Sequence, residues 1–179
     1  MRTYKMIDSP LGALTLTADD GLLSGVYLEK RPTDPGTRQD SGFGETVRQL
    51  EEYFAGERTT FELQTLAQGN NLQRRVWKVL GEIPYGETRT YGEVAEQLGL
   101  RHVVRAVGAA IGQNPLLIVV PCHRVIAAGG RLGGYGGSEM LKRSLLVAEG
   151  LVVSGSRVRR FEDYRIDVRP RRRPRKKAR

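Results

Sequence analysis

An α+β fold is what this sequence predicts: a small sheet-and-helix unit at the N terminus, then a mostly helical unit containing a helix-turn-helix. Three observations carry this reading. Residues 13–17 alternate apolar and polar, the period of a half-buried strand, and they lie between turn signals. From Leu72 onward the apolar residues recur at helical spacing, as in Leu72, Val76, Val79, Leu80 and Ile83. Two short helical stretches then follow, joined by a turn that contains Gly99, which is the pattern of a helix-turn-helix. A chain of 179 residues can build one good-sized domain or two small ones with their own cores. The division expected is residues 1–68 for the sheet-and-helix unit, 69–155 for the helical unit and 156–179 for a basic tail.

Residues 4–8, 12–18 and 22–29 read as short strands. Asp19, Asp20 and Gly21 form a strong hairpin signal between two of them, and Ser9, Pro10, Leu11 and Gly12 mark another turn. Residues 31–44, rich in Pro, Gly and charge, read as a loop. Residues 46–55 form a helix with Val47, Leu50 and Phe54 on one face, ended by Gly56. Nothing in this third of the chain points to chemistry.

Residues 71–82 form an amphipathic helix that packs Trp77 in the core, and Pro84, Tyr85 and Gly86 break it. Thr90 followed by Glu93 three residues on is a capping box for the first helix of the pair. The second helix reaches about Gln113. Val104, Val107 and Ile111 lie at i, i+3 and i+7 and are expected to face the core. Arg101, Arg105 and Ala109 lie four apart on another face. With small residues from Ala106 to Gly112, that face suits either close approach to a DNA groove or ordinary helix packing with solvated arginines. Ser138 is the expected N-cap of a last helix whose inward face carries Leu141, Leu145 and Ala148. Glu149 stands at the C-terminal end of that helix, where a carboxylate is electrostatically misplaced, so it calls for a partner elsewhere.

The only cysteine of the chain, Cys122, follows an unbroken apolar run over residues 116–120, readable as a fully buried strand that Pro121 stops. A lone cysteine is either a small buried hydrophobe or a nucleophile held at the floor of a pocket. Beside it stand Pro121, His123, Arg124, Val125 and Ile126. Around that stretch stand Arg105, Ala106, Val107 and Gly108, then Asn114 and Pro115, Gly133 to Gly137 around Tyr135, Lys142, and Glu149 with Gly150. These residues, in this order and spacing, resemble the O6-alkylguanine–DNA alkyltransferases, proteins that repair DNA by taking an alkyl group onto a cysteine. The resemblance is strong over residues 72–150 and weak in the N-terminal third, and it overturns the bland reading of Cys122.

The resemblance implies a ribonuclease-H-like N-terminal domain. It implies Cys122 as nucleophile, His123 as its base through a water, Glu149 as the group that orients His123, and Tyr91 as proton donor to the departing guanine. Arg105 takes the place of the flipped nucleotide, with Arg101 and Val104 on the same DNA-facing helix. Asn114 fixes the turn that holds the cysteine. The carbonyls of Cys122 and Val125 read the exocyclic amine of guanine. Tyr135 and Gly136 wall the alkylguanine pocket, and Lys142 holds that loop. Val103 and Val104 stand where the family usually has two small residues. O6 points into the base stack, so the nucleotide has to be flipped out of the duplex. No cofactor and no metal enter this chemistry. The rival readings are a damage binder, which lacks the cysteine, a Cys–His hydrolase, which has no use for Arg105 and Tyr91, and a repressor, which has no use for Cys122.

The charge is +9, and the tail segment 170–179 carries seven positive charges and no acid, which leaves the rest at +2. A basic chain suits a nucleic acid or an anionic surface. The tail reads as a disordered segment, either a solubilising end or a DNA-gripping arm. One cysteine fits a reducing cytosol, and no signal peptide or membrane span is visible. The expected protein is a cytoplasmic monomer acting on duplex DNA that carries O6-alkylguanine, with cooperative loading on DNA left open.

Overall fold

Asp20 and Gly21 take positive φ values of 49° and 83°, the primed turn that matches the twist of a two-residue hairpin, and the sheet grows outward from it. The structure, a computed structural model, describes residues 1–28, 32–134 and 138–159. The strands are β1 (Arg2–Ile7), β2 (Leu14–Asp19), β3 (Leu22–Leu28) and β4 (Thr37–Arg38), in the order β3-β2-β1-β4. β1 and β3 run antiparallel to β2, and β4 runs parallel to β1. The expected loop over residues 31–44 therefore contains an edge strand. Two residues are too few for a periodic signal.

The alternation in β2 is one of polarity and not of exposure. Thr15 and Thr17 are as buried as Leu14 and Leu16. Thr17 Oγ1 shares a hydrogen bond of 3.1 Å with Ser24 Oγ, and the Tyr27 ring closes over Gly25 beside it, so the second face of the sheet is covered as well.

α1 (Gly44–Phe54) turns Thr46, Gln49, Leu50 and Tyr53 inward, with Gly56 at φ 75° after its end. α2 (Asn71–Gly81) starts on a capping box between Asn70 and Gln73. β5 (Arg89–Thr90) leads directly into α3 (Tyr91–Gln97), where the Thr90–Glu93 capping box is complete in both directions. Gly99, at φ 70°, closes α3. Its N–H bonds Glu96 O at 3.0 Å and the Leu100 N–H bonds Ala95 O at 2.8 Å, the paired bonds of a Schellman ending. A 3-10 turn at Arg101–Val103 then leads into α4 (Val104–Gly112). Trp77 fastens α2 to α4 by donating its indole N–H to Ala110 O at 2.8 Å.

Past α4 the reading of residues 116–120 as a strand is corrected. Only Leu116 bridges to β3, through Val26 N–H to Pro115 O at 2.8 Å and Leu117 N–H to Val26 O at 3.3 Å. The chain then coils: Val120 N–H bonds Leu116 O at 2.8 Å, and Ile118 adopts φ 72°, rare for a β-branched residue. An unbroken apolar run reports burial, which holds here for Leu116 and Ile118, and says nothing about dihedral angles.

A 3-10 turn at Cys122–Arg124 is followed by β6 (Val125–Ile126), which pairs in parallel with β5. α5 (Glu139–Ala148) is capped by Ser138, whose hydroxyl accepts from Leu141 N–H at 3.3 Å. The inward face of α5 differs from the expected one. Lys142, Leu145, Leu146 and Glu149 are buried, whereas Ala148 is exposed. Lys142 and Glu149 add no apolar signal, so the apolar spacing alone misplaces the stripe. β7 (Val153–Ser154) and β8 (Arg157–Val158) form a closing hairpin, so Arg157 and Val158 join the folded body. Ser156 and Arg159 are bonded to the same body, and residues 160–179 of the expected basic tail lie outside the described residues. One hydrophobic cluster joins the sheet (Leu14, Leu16, Val26) to α1, α2, α4 and α5 through Leu50, Leu80, Val107 and Leu145.

Candidate active site

Asn114 organises the ground on which the cysteine stands. Its Oδ1 accepts from Leu116 N–H at 3.0 Å, and its Nδ2 donates to Val120 O at 2.9 Å and to Cys122 Sγ at 3.2 Å. One amide thus closes the coil on both sides and delivers an N–H to sulfur. Cys122 is 5 % exposed. Burial pushes its thiol pKa up, while the Asn114 bond and the positive charge of Lys142 act against that rise. The resting side chain is a thiol, surrounded by groups that favour its anion.

The next two residues of the same 3-10 turn point at Glu149. The carboxylate takes five donors: Tyr53 Oη at 2.8 Å, Gly86 N at 3.1 Å, His123 Nε2 at 2.6 Å, Arg124 Nε at 2.9 Å and Arg124 Nη2 at 3.0 Å. This cluster is the partner that the misplaced charge at the end of α5 calls for. Burial alone raises the carboxyl pKa, but the bonds and charges of His123 and Arg124 outweigh it and hold Glu149 at about 2. A carboxylate only accepts, so His123 carries its hydrogen on Nε2, and neutral imidazole keeps a lone pair on Nδ1. Burial lowers the His123 pKa despite the adjacent carboxylate, which keeps the ring neutral at pH 7.

Two residues of this cluster carry no role in the sequence reading. Arg124, 6 % exposed, also donates to Ile83 O at 2.6 Å and lies 5.8 Å from the centre of the Tyr85 ring. Tyr53 comes from α1, in the other half of the chain. Position Arg124 stands within the quoted motif, so its charge beside a buried cysteine was the available signal. For Tyr53 no local signal exists.

Lys142, with no exposed surface, donates to Gly134 O at 3.3 Å and lies 5.6 Å from the centre of the Tyr91 ring. Burial lowers its pKa to about 8, against the pull of Cys122 and Glu139. Tyr91 Oη reaches Gly134 O at 3.4 Å, too long for a strong O–H bond. A side chain on Gly133 would sit 3.2 Å from that hydroxyl, and Gly133 holds φ 72°. The Gly-rich loop and Tyr91 therefore touch backbone to ring. Tyr135 and Gly136 lie outside the described residues.

On the helix pair, Arg101 and Arg105 are exposed. Val104, expected to face the core, is 36 % exposed, and Val103 is 37 % exposed. The 3-10 turn before α4 rotates both valines outward beside Arg105, and the inward face begins at Val107, with Ala110 and Ile111. Val125 is fully buried, and its N–H bonds the Cys122 carbonyl. Cys122, His123, Glu149, Asn114, Val125, Tyr91 and Lys142 thus meet around one turn, and Arg101, Val104 and Arg105 are exposed at the start of the second helix of the pair.

The profile described as "6-O-methylguanine DNA methyltransferase, DNA binding domain" matches residues 71–151, and its companion, "ribonuclease-like domain", matches residues 3–67. The chain belongs to the 6-O-methylguanine DNA methyltransferase family. It is 48 % identical over 153 residues to the methylated-DNA–protein-cysteine methyltransferase of Mycolicibacterium paratuberculosis, spanning 83 % of this chain and 93 % of that one. The protein of the same name from Methanosarcina acetivorans is 43 % identical over 152 residues, spanning 82 % and 97 %. Among solved structures, Mycobacterium tuberculosis OGT in complex with DNA superposes with a TM-score of 0.78 at 49 % identity, covering 82 % of this chain and 92 % of that one. The α+β architecture of the methyltransferase family, a sheet-bearing N-terminal half and a helical C-terminal half, is the one found here.

Proposed function

We propose that this chain repairs DNA by direct reversal, flipping O6-alkylguanine out of the duplex and taking the alkyl group onto Cys122. The observation that carries this reading is the placement of the single thiol one residue before the His123–Glu149 pair. The same turn runs into β6, whose partner β5 leads into the helix-turn-helix. Arg105 fills the place of the extruded nucleotide, and Arg101 and Val104 line the DNA face beside it. His123 takes the Cys122 proton through a bridging water, and Glu149 stabilises the imidazolium that forms. Lys142 and the Asn114 amide favour the thiolate.

Sulfur then forms a bond to the alkyl carbon as the C–O bond breaks. The guanine anion leaves with a proton from Tyr91, whose weak bond to Gly134 is readily exchanged for one to the base. The Cys122 carbonyl keeps a second lone pair for the exocyclic amine, with Val125 O beside it. The thioether is stable, so each molecule reacts once. No cofactor or metal takes part.

The working unit in this proposal is a cytoplasmic monomer, with residues 1–68 as support, 69–155 as the DNA-binding and transfer domain, and the tail beyond. Among the described residues no helix is long and apolar enough to cross a membrane. Intact mass after mixing with O6-methylguanine DNA tests the reading. The expected result is a gain of one methyl group per chain, absent in Cys122→Ala, which retains DNA binding because phosphate contacts lie elsewhere. Methylation of the Cys122→Ala protein would refute the mechanism.

A further inference from the structure

We propose that Tyr53 is a positioning residue for alkyl transfer: from the sheet-bearing half of the chain, its hydroxyl holds the Glu149–His123 pair in the state that accepts the Cys122 proton. This rests on the alkyl-transfer reading given above. Tyr53 lies 96 residues from Glu149 in sequence, yet its hydroxyl donates to Oε1 at 2.8 Å. The same oxygen accepts His123 Nε2–H at 2.6 Å and Arg124 Nη2–H at 3.0 Å. The Tyr53 ring is held by Phe54 and Phe61 at 5.5 Å and by Tyr85 at 6.1 Å between centroids. A phenyl ring would fill that seat equally well, and four of the five donors to Glu149 would remain. Packing therefore accounts for the ring and leaves the hydroxyl to be explained.

Burial, and then the Glu149 charge, push Tyr53 far above the ordinary tyrosine pKa, so it stays a donor at every working pH. A donor on Oε1 draws charge from the carboxylate and weakens its hold on the His123 proton. The titratable and charged groups facing Glu149 are His123 and Arg124 from the 3-10 turn, Tyr53 from α1 and Tyr85 from the turn after α2. Those facing His123 are Glu149, Arg124 and Lys142. Without the Tyr53 hydroxyl, Glu149 becomes more basic, imidazolium is favoured, and less of His123 is neutral at a given pH.

The chain has two histidines, exposed His102 and buried His123, so an NMR titration of the imidazoles reads the site with an internal control. In Tyr53→Phe the His123 midpoint is expected to rise by about half to one pH unit, with His102 unchanged. Transfer from free O6-benzylguanine should slow about three- to tenfold on the ascending limb of its pH profile and match wild type on the plateau. Phe61→Leu, which loosens the seat of the ring and spares the hydroxyl, should lower the melting temperature without moving either midpoint. Equal His123 midpoints in wild type and Tyr53→Phe would overturn the proposal, as would a shift of the same size in Phe61→Leu. A wild-type chain that takes up no alkyl group would defeat the transfer reading instead, and the imidazole titration would still report on Tyr53.

Discussion

Replacing Arg124 by Met removes a buried cation and leaves its anion behind. Arg124 supplies two of the five bonds to Glu149 and one to Ile83 O. The carboxyl lies at about 2 against an ordinary 4.5, and at 1.36 kcal/mol per pH unit this gap corresponds to about 3 kcal/mol shared by His123 and Arg124. Leaving the Ile83 carbonyl without its donor adds about 1–3 kcal/mol. With about half of the first figure assigned to Arg124, the sum is about 3–5 kcal/mol, the range seen when one partner of a buried pair is removed. We expect a loss of about 4 kcal/mol at pH 7, or about 10 °C in melting temperature for a chain of this length.

The pH dependence follows from the sign of the shift. A depressed folded-state pKa stabilises above the unfolded value and loses that contribution as pH falls from about 4.5 towards about 2. Wild type loses this stability on acidification, while the variant keeps only the His123 share and has less to lose, so the gap narrows. Urea unfolding followed by circular dichroism, from pH 7 down to pH 3, measures the gap. A gap of the same size throughout, or one below about 1 kcal/mol at pH 7, would refute the assignment of Arg124 as the counter-ion of Glu149.

Three further outcomes are expected. Arg105→Ala should slow repair of duplex DNA far more than reaction with free O6-benzylguanine, which needs no flipping; equal slowing would assign Arg105 to the fold or the active site. Some members of the family bind zinc in the N-terminal domain, but no Cys or His precedes His102 here, so elemental analysis should find no stoichiometric zinc. Deleting residues 170–179 should weaken binding to any DNA sequence and flatten the plot of log affinity against log salt by a few units at most, since each neutralised phosphate contributes about 0.9. An unchanged slope would leave those charges a solubilising role.

What the sequence disclosed depended on range. Capping boxes, hairpin turns and helix stops are written within a few residues, so Thr90–Glu93, Asp20–Gly21 and Gly99 were legible, and with them the helix-turn-helix. The coil over residues 116–120 was not. Its geometry comes from the Asn114 side chain and a left-handed Ile118, neither of which leaves a periodic trace. Val104 failed for a related reason: the 3-10 turn before α4 shifts the phase of the helix, and a spacing counted through it places the residue on the wrong face. In the site, Cys122, His123 and Glu149 were legible through resemblance. Tyr53 was not, because a bond spanning 96 residues is a product of the packing of the two halves.

The single tryptophan offers the experimenter an optical gauge that needs no label. Its indole is 5 % exposed and lies against Gly69, and its N–H is spent on the carbonyl of Ala110 in α4. Indole emission responds to water and to polar neighbours at the ring nitrogen. The colour of this one fluorophore therefore reports the distance between α2 and α4. A helix that docks on DNA as a rigid body will leave the emission maximum where it was, and one that loosens will redden it.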